Sequence, residues 1–369
     1  MLKSTYFEPF IVLYNTFEDK FNIDSYWENY LKQYEHIKNK YTVYPGYDDK
    51  RNYIPIETYE PDIIFITCPY LTSESSWLNL SNQYLNINFL VCYLDYGLNT
   101  INNYDYHYNN SYINTAWKFF IATREDYTET IKYSKHYGLN TFLSGFPKLD
   151  AYKKPLNECK IPEKINNGKP TIIYAPHWTI DYFWEPSDLG TFDIYSDFFL
   201  NMVKKYPEFN FIFKPHPSLE YTLCTKKIMT NDEYKNYIKE WDNQKNGLYV
   251  NDGEYIDLFR KSNLLITDSG SFIGEWLPSD NPCMYLVNPK RDLSRYLDGF
   301  STMGRKILDK YYMCYNQKDI EDNFKMIIID KLDSKKDERI KIKDEIFINI
   351  GCAGEKIVGY LTKILVEKE

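Results

Sequence analysis

Four short polar stretches each follow an apolar run, and together they carry the residue types that handle a negatively charged substrate. They are Asp95-Tyr96-Gly97, His177-Trp178-Thr179, Lys214-Pro-His-Pro217 and Thr267-Asp-Ser-Gly-Ser271, the last leading into Phe272, Ile273, Glu275 and Trp276. If the runs before the last three share one parallel sheet, their C-terminal loops converge on one edge. A lysine, two histidines, two serines and backbone N–H groups then meet there. Oxygens leaving a nucleotide diphosphate gain negative charge in the transition state, and fixed cations and N–H donors stabilise that charge.

Each residue also has a plainer role open to it. His177 can simply bond within its loop, and Trp178 beside it can pack. His216 stands between two prolines that stiffen the loop and hold its ring, which favours function. Lys214 is either a solvated charge or, directly after the apolar Phe211-Ile-Phe213, a cation at the strand end. Asp268 can cap the turn, and Ser269 and Ser271 compete for a phosphate role beside Thr267 and Gly270. Glu275 fits a ribose partner or a helix-surface charge.

Other chemistries fit less well. Asp105 and His107, in Asn103-Tyr-Asp-Tyr-His107, are the nearest approach to a metal pair, and two ligands are too few for a site. No metal is expected. No Gly-x-Ser-x-Gly elbow marks a hydrolase, since Ser269-Gly270-Ser271 lacks the preceding glycine.

The elements that must position these residues alternate between strand and helix. In the first half the pattern predicts strands at 10–14, 63–67, 89–93 and 141–144, and helices at 23–40, 73–82 and 124–136. The polar stretch 99–114 has no clear period and reads as a long loop. Residues 155–170, with three prolines and many charges, read as a linker. The rhythm then restarts, with strands at 171–174, 209–213, 248–250, 264–266 and 283–287. Helices are expected at 192–205, 255–261, 320–329 and 331–347, and an amphipathic segment at 354–366 closes the chain. Two βα series predict an α/β protein of two doubly wound domains, with ligands at the strands' carboxyl ends and in the cleft that the domains face. The expected division is 1–154 for the first domain and 155–350 for the second. A closing helix at 351–369 is expected to pack back on the first.

Composition narrows the partners. The 369 residues carry a net charge of −8, which argues against a general nucleic-acid binder. The seven cysteines are scattered without zinc-like spacing, which suggests reduced thiols in a cytoplasmic protein. The N-terminus lacks the apolar core of a signal peptide, and no apolar run is long enough to span a bilayer. Peripheral attachment to the inner membrane face is compatible with this.

Three motifs, Tyr174-Ala-Pro-His-Trp178, Phe213-Lys-Pro-His-Pro217 and Ile266-Thr-Asp-Ser-Gly-Ser271, resemble those of the CDP-glycerol glycerophosphotransferases of teichoic acid and capsule synthesis. Val91-Cys-Tyr-Leu-Asp-Tyr-Gly97, Asn114-Thr-Ala-Trp-Lys-Phe119 and Gly145-Phe-Pro-Lys-Leu-Asp150 are similar to the shorter, primase-type members. The likeness spans roughly residues 60–290. It implies a GT-B-like fold of two Rossmann-type domains. It also implies transfer of a polyol phosphate from CDP-glycerol or CDP-ribitol to a glycan or lipid-linked hydroxyl, releasing CMP, with no required metal. By position, His216 matches the family's C-terminal-domain histidine and 268–271 its phosphate-binding turn.

Two departures stand out. Where polymerase-type members carry a His-Gly pair, this chain reads Tyr96-Gly97 with Asp95 before it, so Asp95 or His107 is left as the base, or the acceptor differs. Where the family usually has two adjacent serines, this chain has Gly270-Ser271. The competing functions are a GT-B glycosyltransferase using a nucleotide sugar and a non-catalytic nucleotide- or glycan-binding protein.

Overall fold

The computed structural model describes residues 4–14, 23–67, 88–183, 187–251 and 253–367. The helix expected at 73–82 lies outside them. The chain forms two compact units, Met1–Tyr96 with Asp105–Phe146 and Cys352–Glu369, and Gly97–Tyr104 with Pro147–Gly351.

The first unit is built on four parallel strands in chain order, β3 (Ile63–Ile66), β4 (Leu90–Leu94), β5 (Lys118–Ile121) and β6 (Thr141–Leu143), while β1 (Ile11–Leu13) and β2 (Val43–Pro45) pair with each other. Successive side chains of a strand face opposite ways. Val91, Tyr93, Phe119 and Ile121 accordingly pack on one face with Ile113. Cys92 and Phe120 pack on the other with Ile357 and Leu361 of the closing helix Ala353–Leu365.

The stretch read as a loop at 99–114 is mostly not one. It holds short helices at Tyr104–Tyr108 and Ser111–Thr115. Each is only five residues long and is anchored by polar groups, which is why no apolar period showed. The Tyr108 hydroxyl donates to Asp126 at 2.6 Å, and the Asn110 side chain accepts from the Ile113 N–H at 2.9 Å.

The second unit holds six parallel strands, β7 (Thr171–Ala175), β8 (Asn210–Phe213), β9 (Gly247–Tyr249), β10 (Leu264–Thr267), β11 (Cys283–Leu286) and β12 (Tyr312–Cys314). Their spatial order is β12-β11-β10-β7-β8-β9. This is the doubly wound order, and its reversal falls between β7 and β10, where such sheets bind ligands. β7, β8, β10 and β11 are buried along their whole length, as expected of strands covered on both faces. Each fully buried Leu, Ile or Phe contributes about 1.5–3 kcal/mol, so these strands set the register of the loops that leave them.

The units do not divide at 154/155. Residues 147–154 belong to the second unit because its side chains grip their backbone: Arg260 donates to the carbonyls of Ala151 (2.7 Å) and Lys154 (2.6 Å), and Lys154 pairs with Asp257. The strap Gly97–Tyr104 belongs there because glycines admit it. A Cβ on Gly304 would stand 2.1 Å from the Thr100 carbonyl oxygen, and one on Gly274 2.8 Å from Leu98. Ser301 clamps the strap through its N–H on Thr100 O and its hydroxyl on Asn99 O, both at 2.8 Å.

Gly304 lies in the helix Thr302–Asp309, where alanine would ordinarily be favoured by roughly 1 kcal/mol. The backbone contact reverses that sign. Gly304→Ala is expected to lower stability by roughly 1–3 kcal/mol, read as a lower urea midpoint at unchanged slope; a neutral or stabilised variant would show that the strap yields.

Candidate active site

The end of β10 holds the site together. Asp268 is fully buried, and its carboxylate accepts hydrogen bonds from the His177 N–H (2.5 Å), the Thr191 N–H (2.6 Å) and the Thr191 hydroxyl (2.7 Å). Burial pushes its carboxyl up to about 7, and these donors work against that rise by favouring the ionised form. Asp268 thus ties both ends of the loop after β7 to the end of β10. Thr267 adds a second tie, its hydroxyl donating to Ala175 O at 2.6 Å and accepting from the Ser269 N–H at 3.0 Å. The loop after β8 is laid alongside by the Lys214 N–H on Tyr174 O (2.9 Å) and the His216 N–H on Pro176 O (3.0 Å).

These ties bring the two histidines together, their rings 5.2 Å apart and inclined at 64°. Trp178 lies 5.9 Å from each ring and edge-on to Tyr182, walling the pair on one side. The Ser218 N–H donates to His216 Nδ1 at 3.1 Å. On His177, the Thr179 N–H donates to Nδ1 at 3.4 Å, and the Thr179 hydroxyl lies 2.8 Å from the same atom. With Nδ1 occupied as acceptor, the neutral form of each ring carries its proton on Nε2. Both are held neutral. Burial, with His216 beside it, drives His177 well below the usual histidine range, and burial together with the Lys214 charge drives His216 down to about 4. Two neutral Nε2–H donors are therefore available near neutral pH without a proton to gain first.

Lys214 is buried, its ammonium 4.9 Å from the centre of the Tyr255 ring. Lys148 stands 5.3 Å from the same ring and donates to the Tyr255 hydroxyl and to Glu275, each at 3.0 Å. The Tyr255 hydroxyl donates to the other oxygen of Glu275. Both oxygens of the carboxylate that the sequence offered to a ribose are thus engaged within the protein.

In the turn, Ser269 caps the helix Gly270–Trp276 by accepting from the Phe272 N–H, and its hydroxyl lies 3.3 Å from that of Ser271. Gly270 stands where the resemblance implies a serine, and the strap leaves no room for one. A Cβ there would meet Ile101 at 2.6 Å, and the Thr100 hydroxyl already donates to Gly270 O at 2.6 Å.

In the first unit Asp95 is buried at the end of β4 and Tyr96 is 51% exposed, while Gly97 begins the strap of the second unit. His107 lies on the helix Tyr104–Tyr108 with Nδ1 enclosed and without a hydrogen-bond partner among the described residues; burial drives its ring down to about 4. Among the described residues no three His, Cys, Asp or Glu side chains are grouped to hold a metal ion.

The sequence reading passed over Thr191, Lys148 and Tyr255. Thr191 immediately precedes a helix and looks like an ordinary cap. Lys148 sits in a quoted motif without a stated role, and Tyr255 is one of 37 tyrosines.

A model of the family CDP-Glycerol:Poly(glycerophosphate) glycerophosphotransferase matches residues 83–301. No curated protein matches the sequence. Among solved structures, the wall teichoic acid polymerase TagF is similar at 16% identity and TM-score 0.59, over 96% of this chain and 89% of that one. A variant of TagF soaked with CDPG is similar at 16% identity and TM-score 0.55, over 96% and 87%. A putative UDP-N-acetylglucosamine 2-epimerase from Listeria monocytogenes is similar at 17% identity and TM-score 0.53, over 85% and 77%. The fold is of the GT-B class.

The histidine geometry has a pH signature. An unfolded His216 takes a proton near its ordinary value of 6.5 and the folded ring only near 4, so between these values the unfolded chain binds more protons. Acidification through that window destabilises the fold. In thermal melts from pH 7.5 to 4.5, His216→Gln is expected to lose part of the wild-type decline in Tm; an equal decline would show that His216 charges freely.

Proposed function

The chain belongs to the CDP-Glycerol:Poly(glycerophosphate) glycerophosphotransferase family, and we propose that it moves glycerol phosphate, or another polyol phosphate, from a CDP-polyol to a hydroxyl of a glycan or lipid-linked acceptor. The observation that carries this is the meeting of the two neutral rings of His177 and His216, with the Lys214 charge acting on His216, at the ends of the adjacent strands β7 and β8. The acceptor oxygen forms a bond to the phosphorus that bears the polyol. The bond from that phosphorus to the bridging oxygen breaks, and CMP leaves with the electron pair. His177, His216, Lys214 and the turn from Ser269 to Ser271, held in place by Thr267 and Asp268, bind the diphosphate and stabilise the charge that gathers on the leaving phosphate.

The acceptor proton goes to Asp95 or His107, with Tyr96 and Gly97 on the acceptor side. In support, Asp95 is a carboxylate at a strand end, and His107 is held uncharged by burial, as a base must be. The chemistry uses the chain's own donors and no metal. The reaction is placed in the cytoplasm, at the inner face of the membrane, in building a capsule- or teichoic acid-like polymer. Free cysteines fit that compartment, and among the described residues no helix is long and apolar enough to cross a membrane.

CMP release from CDP-glycerol and CDP-ribitol with glycan and lipid-linked acceptors tests this. Turnover is expected to persist in EDTA and to fall by about 10²-fold in His216→Ala, the cost of losing one transition-state donor. The same assay on Asp95→Asn and His107→Gln assigns the base. No CMP with any acceptor would count against the reading.

A further inference from the structure

Lys214 carries a positive charge into a place where water cannot solvate it well, since the residue is only 5% exposed. The Tyr255 ring lies against its ammonium, with 4.9 Å between nitrogen and ring centre. The negative face of an aromatic ring attracts a cation, and more strongly when the pair is shielded from water. The ring is itself fixed. It packs, tilted, on Phe259 and Phe272, with centroids at 4.9 and 5.0 Å. Its hydroxyl is locked onto Glu275, 2% exposed, which also binds Lys148. Burial and the Glu275 carboxylate push the Tyr255 hydroxyl far above its usual range, so it stays protonated and keeps donating.

We propose that Tyr255 is a positioning residue for the transfer reaction: its ring, locked through its hydroxyl by Glu275 and Lys148, holds the Lys214 ammonium where it meets the donor diphosphate. The proposal rests on the reading of Lys214 as a diphosphate ligand. It gives Glu275 and Lys148 a task away from the ribose. Lys148 pairs with the Glu275 carboxylate, and Glu275 orients the tyrosine. Tyr255 touches no reacting atom; it acts through Lys214.

The test separates the ring's electrostatics from its bulk. Tyr255→Phe keeps the ring and frees it from Glu275, and is expected to lose roughly three- to tenfold in kcat/KM, the scale of one hydrogen bond. Replacing that phenylalanine with mono-, di- and trifluorinated analogues drains the ring face with little change of volume. A stepwise further fall, about tenfold in all, is expected, with Tm unchanged and with no such trend in a Lys214→Met background. A flat series overturns the proposal, because a ring that only packs is indifferent to fluorination. The Lys214 Cε signal in selectively labelled protein, identified by its loss in Lys214→Met, reports the contact without turnover. It is expected to move along the series. If it moves while the wild type releases no CMP, the contact stands and the donor reading fails; if it does not move, the positioning claim fails whatever the activity.

Discussion

Asp268 accepts three hydrogen bonds in full burial, and the arrangement of the second unit's site depends on them. Without that carboxylate the N–H groups of His177 and Thr191 would be left unpaired in a dry interior, each costing about 1–3 kcal/mol. The loop between them would lose the tie that brings His177 to His216. Asp268 serves here through position rather than by contact with substrate. It fixes where the loop after β7 leaves the sheet, and that loop carries the histidine whose ring meets its partner from β8.

The consequence is a site that concentrates donors without concentrating charge. Two buried imidazoles beside a lysine cannot all be cations. Burial keeps both rings neutral, helped by the Lys214 charge at His216 and by His216 at His177, and their Nδ1 partners direct the remaining protons to Nε2. A diphosphate bound as proposed would meet one positive charge and several N–H groups already in place, at no cost in reorganisation as the leaving phosphate charges up. Beneath it lies a second layer, in which Glu275, Lys148 and Tyr255 bind one another, and a third contact, the strap whose Thr100 holds Gly270 at the turn.

Much of this was legible in the sequence. The apolar runs at 171–174, 209–213 and 264–266 are strands of one parallel sheet, and the polar loops after them do converge, because the strands are neighbours in register. His177 and His216 were readable from their places between prolines and strand ends. Other features were hidden for physical reasons. Asp268 reads as a turn cap, and only its burial shows what it ties together. Glu275 reads as a surface charge or a ribose partner until its neighbours across 127 residues are known. The stretch 99–114 looked formless because its anchors are Tyr108, Asn110 and glycines on the far side of the contact, none of which makes an apolar period. The division at 154/155 failed where backbone carbonyls, which no sequence distinguishes, are held by Arg260.

The most direct test of the central claim is the thermal stabilisation given by CDP-glycerol, CDP, UDP and UDP-sugars to the wild type and to Asp268→Asn. A ligand that binds only the folded state raises Tm by mass action. The account predicts a rise specific to cytidine diphosphates in the wild type, abolished in an Asp268→Asn protein that still melts cooperatively. A rise with uridine ligands instead, or the same cytidine response in Asp268→Asn, would contradict it.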